Sequence, residues 1–243
     1  MLTKILFLII VFFSNIIQCI TGFAGTVLAM PFSVMLIGFD TARPILNVLG
    51  LLASVFVLAV GFRYVDKKEF LKISGITAVG IVLGVLIKGK LQGFDRVLYV
   101  TLGLLVIIFA VMNCISFYSK KERKKSNPFL DIILLLAAGT VHGIFVCGGP
   151  LLVTYASAKL PEKEKFRSTL SAVWVILNGI IAVTDIWGGT FKGGTLALTL
   201  LSVLTLLAAL IIGNLIYKKM SRKAFLNLTY ILMIISGISL LVK

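Results

Sequence analysis

The chain of 243 residues is 59% hydrophobic and only 14% charged, and its formal net charge at pH 7 is +15. This composition, with a mean hydropathy of +1.10, excludes a water-soluble domain and predicts a protein that lies in a lipid bilayer. The excess of basic residues would suggest nucleic acid as the partner of a soluble protein. Here these residues lie in short loops between apolar segments, so they indicate membrane topology and no nucleic-acid partner.

Apolar segments fill nearly the whole chain. A membrane-spanning helix needs roughly 20 apolar residues, and segment 169–191 reaches this length with Asp185 as its single charge. Little remains for a soluble domain, so the sequence predicts an all-α polytopic protein of the cell membrane. The segments without any charged side chain are 5–39, 45–62, 73–87, 97–119, 132–158, 193–217 and 224–242.

Basic loops predict where the chain turns back. Cytoplasmic loops collect Lys and Arg, and the loops with this composition are 63–72, 120–125, 159–167 and 218–223. The apolar segment between the second and third of these loops must leave and return on the same side, which makes it a hairpin. The first apolar segment, with 35 residues, would reach about 52 Å as one helix against a bilayer core of about 30 Å, so it must also fold back.

The two halves of the chain are related by a shift of 124 residues. Each half contains a broken helix hairpin followed by three transmembrane helices, and a hairpin restores the starting side, so the halves are predicted to insert as inverted repeats. Lys4, Lys88, Lys90 and Arg96 would then lie outside, against the charge rule. The shift pairs Gln18 with His142, Gly25 with Gly149, Leu28 with Leu152, Arg43 with Arg167 and Asn47 with Ser171. The predicted boundaries are residues 1–119 for repeat 1 (hairpin 3–39, helices 44–62, 71–89 and 96–118), 120–127 for a cytoplasmic basic linker, and 128–243 for repeat 2 (hairpin 129–160, helices 167–187, 194–217 and 223–242).

Glycine-rich breaks lie at matching places in the two hairpins, at residues 22–25 and 147–150. Irregular backbone in a bilayer is tolerated only where protein, water or a ligand satisfies its polar groups. The half-helices that follow, 27–38 and 151–160, present positive N-terminal ends, which favour an oxyanion. We therefore predict an anion site at the breaks. The alternative is that Gly25, Gly148 and Gly149 only allow close helix packing.

Polar side chains near the breaks complete the predicted site. His142, the only histidine, is a candidate hydrogen-bond donor to an oxyanion or a proton carrier, and the alternative is a packed residue with satisfied nitrogens. Asp185 is expected near the outer membrane interface, with proton coupling as a second possibility. The other predicted substrate-binding residues are Gln18, Gly22, Thr26, Asn47, Gly143, Cys147, Ser171 and Asn178, and the alternative for Cys147 is a small packed residue.

Arg43 and Arg167 lie near the starts of the helices that follow the hairpins. Each arginine either pairs with a neighbouring carboxylate, Asp40 or Glu164, or binds an anion through the forked donors of its guanidinium. The spacing of the three cysteines predicts neither a disulfide framework nor a metal site, and no cofactor is expected.

With these residues the chain resembles the TauE/SafE family of sulfite and organosulfonate exporters, also called the toluene sulfonate uptake permease family. The resemblance rests on the duplication and on the paired segments 22–31 and 142–150, and it covers essentially the whole chain. It departs from the family's richer glycine pattern at Ala24, Thr26, Val146 and Cys147. The resemblance implies transport of a small sulfur-containing anion such as sulfite, sulfoacetate or a related organosulfonate.

A negative cell interior drives a monovalent anion outward with about 2.3 kcal/mol per 100 mV, which favours export by alternating access without a coupled ion. Two other classes stay open. A structural or assembly membrane protein would give no saturable anion flux. An intramembrane enzyme is disfavoured because the sequence has no GxSxG or HExxH element. Oligomeric state does not follow from the sequence.

Overall fold

The computed structural model describes residues 2–90 and 127–241, with isolated positions between 96 and 115. Within these residues the secondary structure is helical and contains no strand. Six of the described helices are long and apolar enough to cross a membrane. The prediction of an all-α membrane protein is therefore confirmed. Most of the helix predicted at 96–118 and nearly all of the predicted basic linker 120–127 lie outside the described residues.

The first half begins with a hairpin that is broken at Gly22 and Phe23. Gly22 has φ +83°, a conformation that glycine adopts without steric cost. Gly38, with φ +77°, separates the hairpin from the next helix in the same way. The elements of this half are α1 (Leu2–Thr21), α2 (Ala24–Ile37), α3 (Phe39–Gly61), a 3-10 turn (Phe62–Tyr64) and α4 (Lys67–Lys90).

The second half also begins with a hairpin. Its first helix starts where the Asn127 side chain accepts a hydrogen bond from the Phe129 N–H at 3.0 Å, with Pro128 at the first helical position, where its missing N–H costs nothing. That helix ends at Phe145, and the residue after it, Val146, has φ +58°. The elements of this half are α5 (Pro128–Phe145), α6 (Gly149–Lys159), α7 (Lys163–Trp187), α8 (Gly194–Lys219) and α9 (Arg222–Leu241).

Each hairpin packs against helices of the opposite half. Helix α1 packs against α8, and α5 packs against α4. Helices α3 and α7 pack against each other, and α3 also contacts α1 and α8 while α7 contacts α4. Helix α2 contacts α6, α3 and α9. The core therefore forms where the ends of α1 and α5 approach the α3–α7 pair, and many polar side chains are buried there.

Glycines bring α4 and α5 unusually close together. A Cβ atom at Gly84 would overlap the backbone carbonyl of Thr140, and one at Gly139 would overlap that of Thr77. At Gly143 a Cβ would lie 2.7 Å from the Ile81 carbonyl oxygen. Each helix thus carries one GxxxG motif, Gly80 and Gly84 on α4 and Gly139 and Gly143 on α5. This motif allows backbone contact between helices in membranes. Gly143, predicted as a substrate-binding residue, thus faces α4.

Candidate functional site

The two breaks meet around a small cavity in the interior of the protein. A Cβ atom at Gly149 would lie 3.0 Å from Cδ2 and 3.3 Å from the carbonyl oxygen of Phe23, so the two breaks are in contact there. The cavity has room for about one water molecule. Its lining residues are Gln18, Phe23 and Thr26 from the first half and His142, Val146, Gly149, Trp174 and Asn178 from the second.

The residue that directly follows the first helix of each hairpin has a left-handed backbone. Under the shift of 124 residues Val146 matches Gly22, and both have positive φ, at +58° and +83°. The Val146 N–H donates to the His142 carbonyl at 2.7 Å, and the Gly22 N–H donates to the Gln18 carbonyl at 2.8 Å. A β-branched residue in this region is an outlier. The second hairpin therefore keeps the turn of the first although valine replaces glycine.

Side chains of the first helix in each hairpin accept backbone N–H groups at the start of the second helix. Gln18 Oε1 accepts from the Gly25 N–H at 2.8 Å, and Thr21 Oγ1 accepts from the Ala24 N–H at 3.1 Å. In the other hairpin, His142 Nδ1 accepts from the Gly148 N–H at 3.5 Å. In this conformation side chains of the protein thus accept hydrogen bonds from backbone N–H groups that we predicted would bind an anion.

His142 is buried and engaged through both ring nitrogens. Because Nδ1 accepts from a backbone N–H, a neutral ring carries its proton on Nε2, which lies 2.9 Å from Asn178 Oδ1. The ring also lies against Trp174, with a centroid distance of 4.8 Å. Asn178 in turn accepts at its backbone carbonyl from Asn47 Nδ2 at 3.1 Å. The histidine is arranged as a neutral donor.

Arg43 binds the far end of the second hairpin's first helix. Its Nε donates to the Ile144 carbonyl at 3.2 Å and its Nη2 to the Gly143 carbonyl at 3.1 Å. Its Nη1 pairs with Asp185 Oδ1 at 2.8 Å, and the two side chains are 3% and 10% exposed. The carboxylate partner is therefore Asp185 rather than the neighbouring Asp40. Asp185, expected near the outer membrane interface, is buried and lies two residues before the end of α7.

Arg167 binds the corresponding end of the first hairpin. Its Nε donates to the Cys19 carbonyl at 2.7 Å and its Nη2 to Asn214 Oδ1 at 3.4 Å. The guanidinium carbon lies 3.9 Å from the centre of the Tyr217 ring. Glu164 pairs instead with Lys163 at 3.6 Å. Both arginines thus bind last-turn carbonyls, which a helix leaves without internal partners.

Several buried polar atoms have no hydrogen-bond partner among the described residues. They include Trp174 Nε1, which belongs to the cavity lining, and Ser171 Oγ one turn before it on α7. Asn47 Oδ1 and Ser54 Oγ on α3 and Asp185 Oδ2 on α7 are in the same position. Buried polar groups normally form hydrogen bonds with protein groups or ordered water. We therefore expect these atoms to bond to a group or molecule that lies where α3 and α7 meet.

The structure brings together part of the predicted site. Five of the predicted residues line the cavity, and three lining residues were missed: Phe23, Val146 and Trp174. The signal for Trp174 was a tryptophan in mid-helix, away from the interface where tryptophans concentrate in membranes. Arg43, Arg167, Asn47, Gly143 and Ser171 lie outside the lining. The four remaining predicted residues are buried at or beside the breaks and do not line the cavity: Gly22, Gly25, Cys147 and Gly148.

These features define a polytopic helical membrane protein in which residues of two broken hairpins and of α7 line a small cavity. The chain belongs to the sulfite exporter TauE/SafE family, whose family model matches residues 6–240. No curated protein and no solved structure gives a match.

Proposed function

We propose that the chain is a secondary transporter that exports small sulfur-containing anions across the cell membrane. The observation that carries this proposal is the cavity between the two helix breaks, because residues from both hairpins line it. Membership of a sulfite exporter family supports the class of substrate. Gln18, Thr26, His142, Gly149 and Asn178 would contact the anion, together with Trp174.

We further propose that residues 1–119 and 128–243 are inverted repeats. Reciprocal contacts support this. Arg43 of α3 donates to the Gly143 carbonyl, and Arg167, its partner under the shift, donates to the carbonyl of Cys19, which is the partner of Gly143. Likewise α1 packs on α8 while α5 packs on α4. A two-fold relation in the membrane plane accounts for both pairs of contacts.

The two hairpin tips would act as the gates of an alternating-access cycle. The arginine of the opposite half holds each tip, and an aromatic contact accompanies each one, with ring centroids 6.5 Å apart for Phe39 and Phe145 and 6.4 Å apart for Phe23 and Phe166. The present cavity is too small for a sulfur oxyanion. One tip must therefore move before the anion enters, and that movement would release the Gln18 or His142 contact with the following backbone N–H.

The test is sulfite flux in proteoliposomes that contain the purified protein, with a K⁺ gradient and valinomycin setting the membrane potential. We expect saturable sulfite flux that accelerates when the compartment containing sulfite is made electrically negative, because this potential drives the anion out of it. The matched variants are Gly149→Leu, which places a bulky side chain against Phe23, and Gly188→Leu at the α7 terminus. The first should abolish flux and the second should preserve it. Flux that does not saturate, or that neither variant changes, would instead favour a structural or assembly role.

A further inference from the structure

None of the described residues that line the cavity has a cationic side chain. Of its eight lining residues, four are neutral and polar, three are apolar or aromatic and one is glycine. His142 is the only titratable member, and its Nδ1 accepts a backbone N–H at 3.5 Å, which fits the neutral ring. We propose that this site selects anions with a single negative charge and an apolar group, the alkanesulfonate type, over dianions. This inference rests on the proposed function and narrows its substrate class.

The arginines nearest the breaks do not supply the missing charge. Arg43 is ion-paired with Asp185 at 2.8 Å and donates to two carbonyls of α5, so that pair is neutral as a unit. Arg167 is bound to the Cys19 carbonyl and lies over Tyr217. Neither residue belongs to the cavity lining. A ligand in the cavity therefore meets neutral donors and helix ends.

Helix ends are sufficient for one negative charge but not for two. Helices α2 and α6, with 14 and 11 residues, both begin at the cavity. Each N-terminus carries the equivalent of roughly half a positive charge, so the two together offset about one negative charge. The cost of taking an ion out of water rises with the square of its charge in the Born description, so a dianion loses far more hydration than the site returns.

The wall chemistry favours an organic group on the anion. Phe23, Val146 and Trp174 supply apolar surface at 3%, 2% and 3% exposure. Trp174 also has an indole Nε1–H that is buried without a partner in the described part of the chain. This donor is the second observation that indicates a ligand, because a buried N–H without a hydrogen-bond partner destabilises the protein. An alkanesulfonate offers oxygens to the donors and carbon to the wall.

Methanesulfonate and sulfate form the decisive pair of probes. Both have tetrahedral sulfur and at least three oxygens, and they differ by a methyl group in place of one charged oxygen. Ethanesulfonate and sulfoacetate form a second pair that differs by one carboxylate. We expect methanesulfonate to inhibit sulfite flux in proteoliposomes at concentrations about tenfold or more below those needed for sulfate, and ethanesulfonate to outcompete sulfoacetate. Equal or stronger inhibition by the dianions, or none by the sulfonates, would overturn the inference while leaving sulfite transport intact.

Absence of any saturable sulfite flux would remove the proposed function, and this inference with it. The charge argument has its own variant, since Thr26 lines the cavity. Thr26→Lys adds a cation and should shift the ratio of methanesulfonate to sulfate inhibition toward sulfate by at least several-fold. Thr26→Met, similar in length and neutral, should weaken inhibition by both anions without shifting the ratio toward sulfate. An unchanged ratio in the folded lysine variant would contradict the charge argument.

The role of Trp174 is tested by fluorescence, because the chain has only two tryptophans. The second, Trp187, is 85% exposed, so Trp187→Phe leaves Trp174 as the sole indole and should retain methanesulfonate binding. Addition of methanesulfonate should then change the emission of Trp174. Trp174→Phe keeps an aromatic ring beside His142 but removes Nε1–H, and we expect several-fold weaker methanesulfonate binding with the ligand-free melting temperature retained. Unchanged emission and unchanged affinity would remove Trp174 from the site.

Discussion

Val146 is the position where the backbone of the second break can be tested directly. It has φ +58° and is 2% exposed. A non-glycine residue in the left-handed region costs roughly 1–2 kcal/mol, and more strain is expected for a β-branched one. Replacing it with glycine relieves this cost but removes a buried side chain worth about 1.5–3 kcal/mol. The two terms oppose each other, so Val146→Gly should change the free energy of unfolding by only about 1 kcal/mol.

Val153 on α6 is the matched control because it is 0% exposed and lies within a helix. There glycine loses the same packing and gains no relief, and its helix propensity is lower by a few tenths of a kcal/mol. Val153→Gly should therefore cost about 2–4 kcal/mol. The alanine variants sharpen the comparison: at Val146 glycine should be more stable than alanine, whereas at Val153 alanine should be more stable by about 0.5–1 kcal/mol.

The assay is unfolding of the detergent-solubilised protein by a graded denaturing detergent, with melting temperature as a second measure. The order of glycine and alanine at the two positions does not depend on the absolute value of the packing term. If alanine is the more stable residue at both positions, the turn at Val146 is not strained as described.

Three further predictions concern the packing and the substrate. Arg43→Gln leaves the Asp185 carboxylate buried without its cation and should lower the free energy of unfolding by about 3–5 kcal/mol. Adding Asp185→Asn should recover part of this loss. Purely additive losses in the double-mutant cycle would contradict the ion pair. Gly84→Ala should destabilise the protein by about 1–3 kcal/mol because its Cβ would overlap the Thr140 carbonyl. The control, Gly75→Ala, has open space around it and should be neutral or stabilising. Equal melting temperatures of the two variants would refute the close contact of α4 and α5. Sulfite flux should rise as pH falls through neutrality because hydrogen sulfite replaces the sulfite dianion. Methanesulfonate keeps its charge over this range, so its flux should stay constant. A parallel change in both fluxes would show that the pH acts on a group of the protein, such as His142, and not on the substrate.

Properties that depend on local composition followed from the sequence. Bilayer residence and the existence of the helices depend on runs of apolar residues, which each segment carries within itself. The broken hairpins followed from length and loop charge, since 35 apolar residues cannot cross once as a straight helix. The first break followed from clustered glycines, since Gly22 has a positive φ there. In the second break the glycines indicated the region, but the residue with positive φ is Val146.

Only the tertiary structure decided which groups meet. The shift of 124 residues paired Arg43 with Arg167. It did not predict that each arginine would bind a carbonyl at the end of the first helix of the opposite hairpin, because these contacts join residues 100 and 148 positions apart in the sequence. Local spacing favoured Asp40 over Asp185 for the same reason. Trp174 became a lining residue only through the approach of α7 to both breaks, and Val146 takes a backbone that valine disfavours because the surrounding packing imposes the turn.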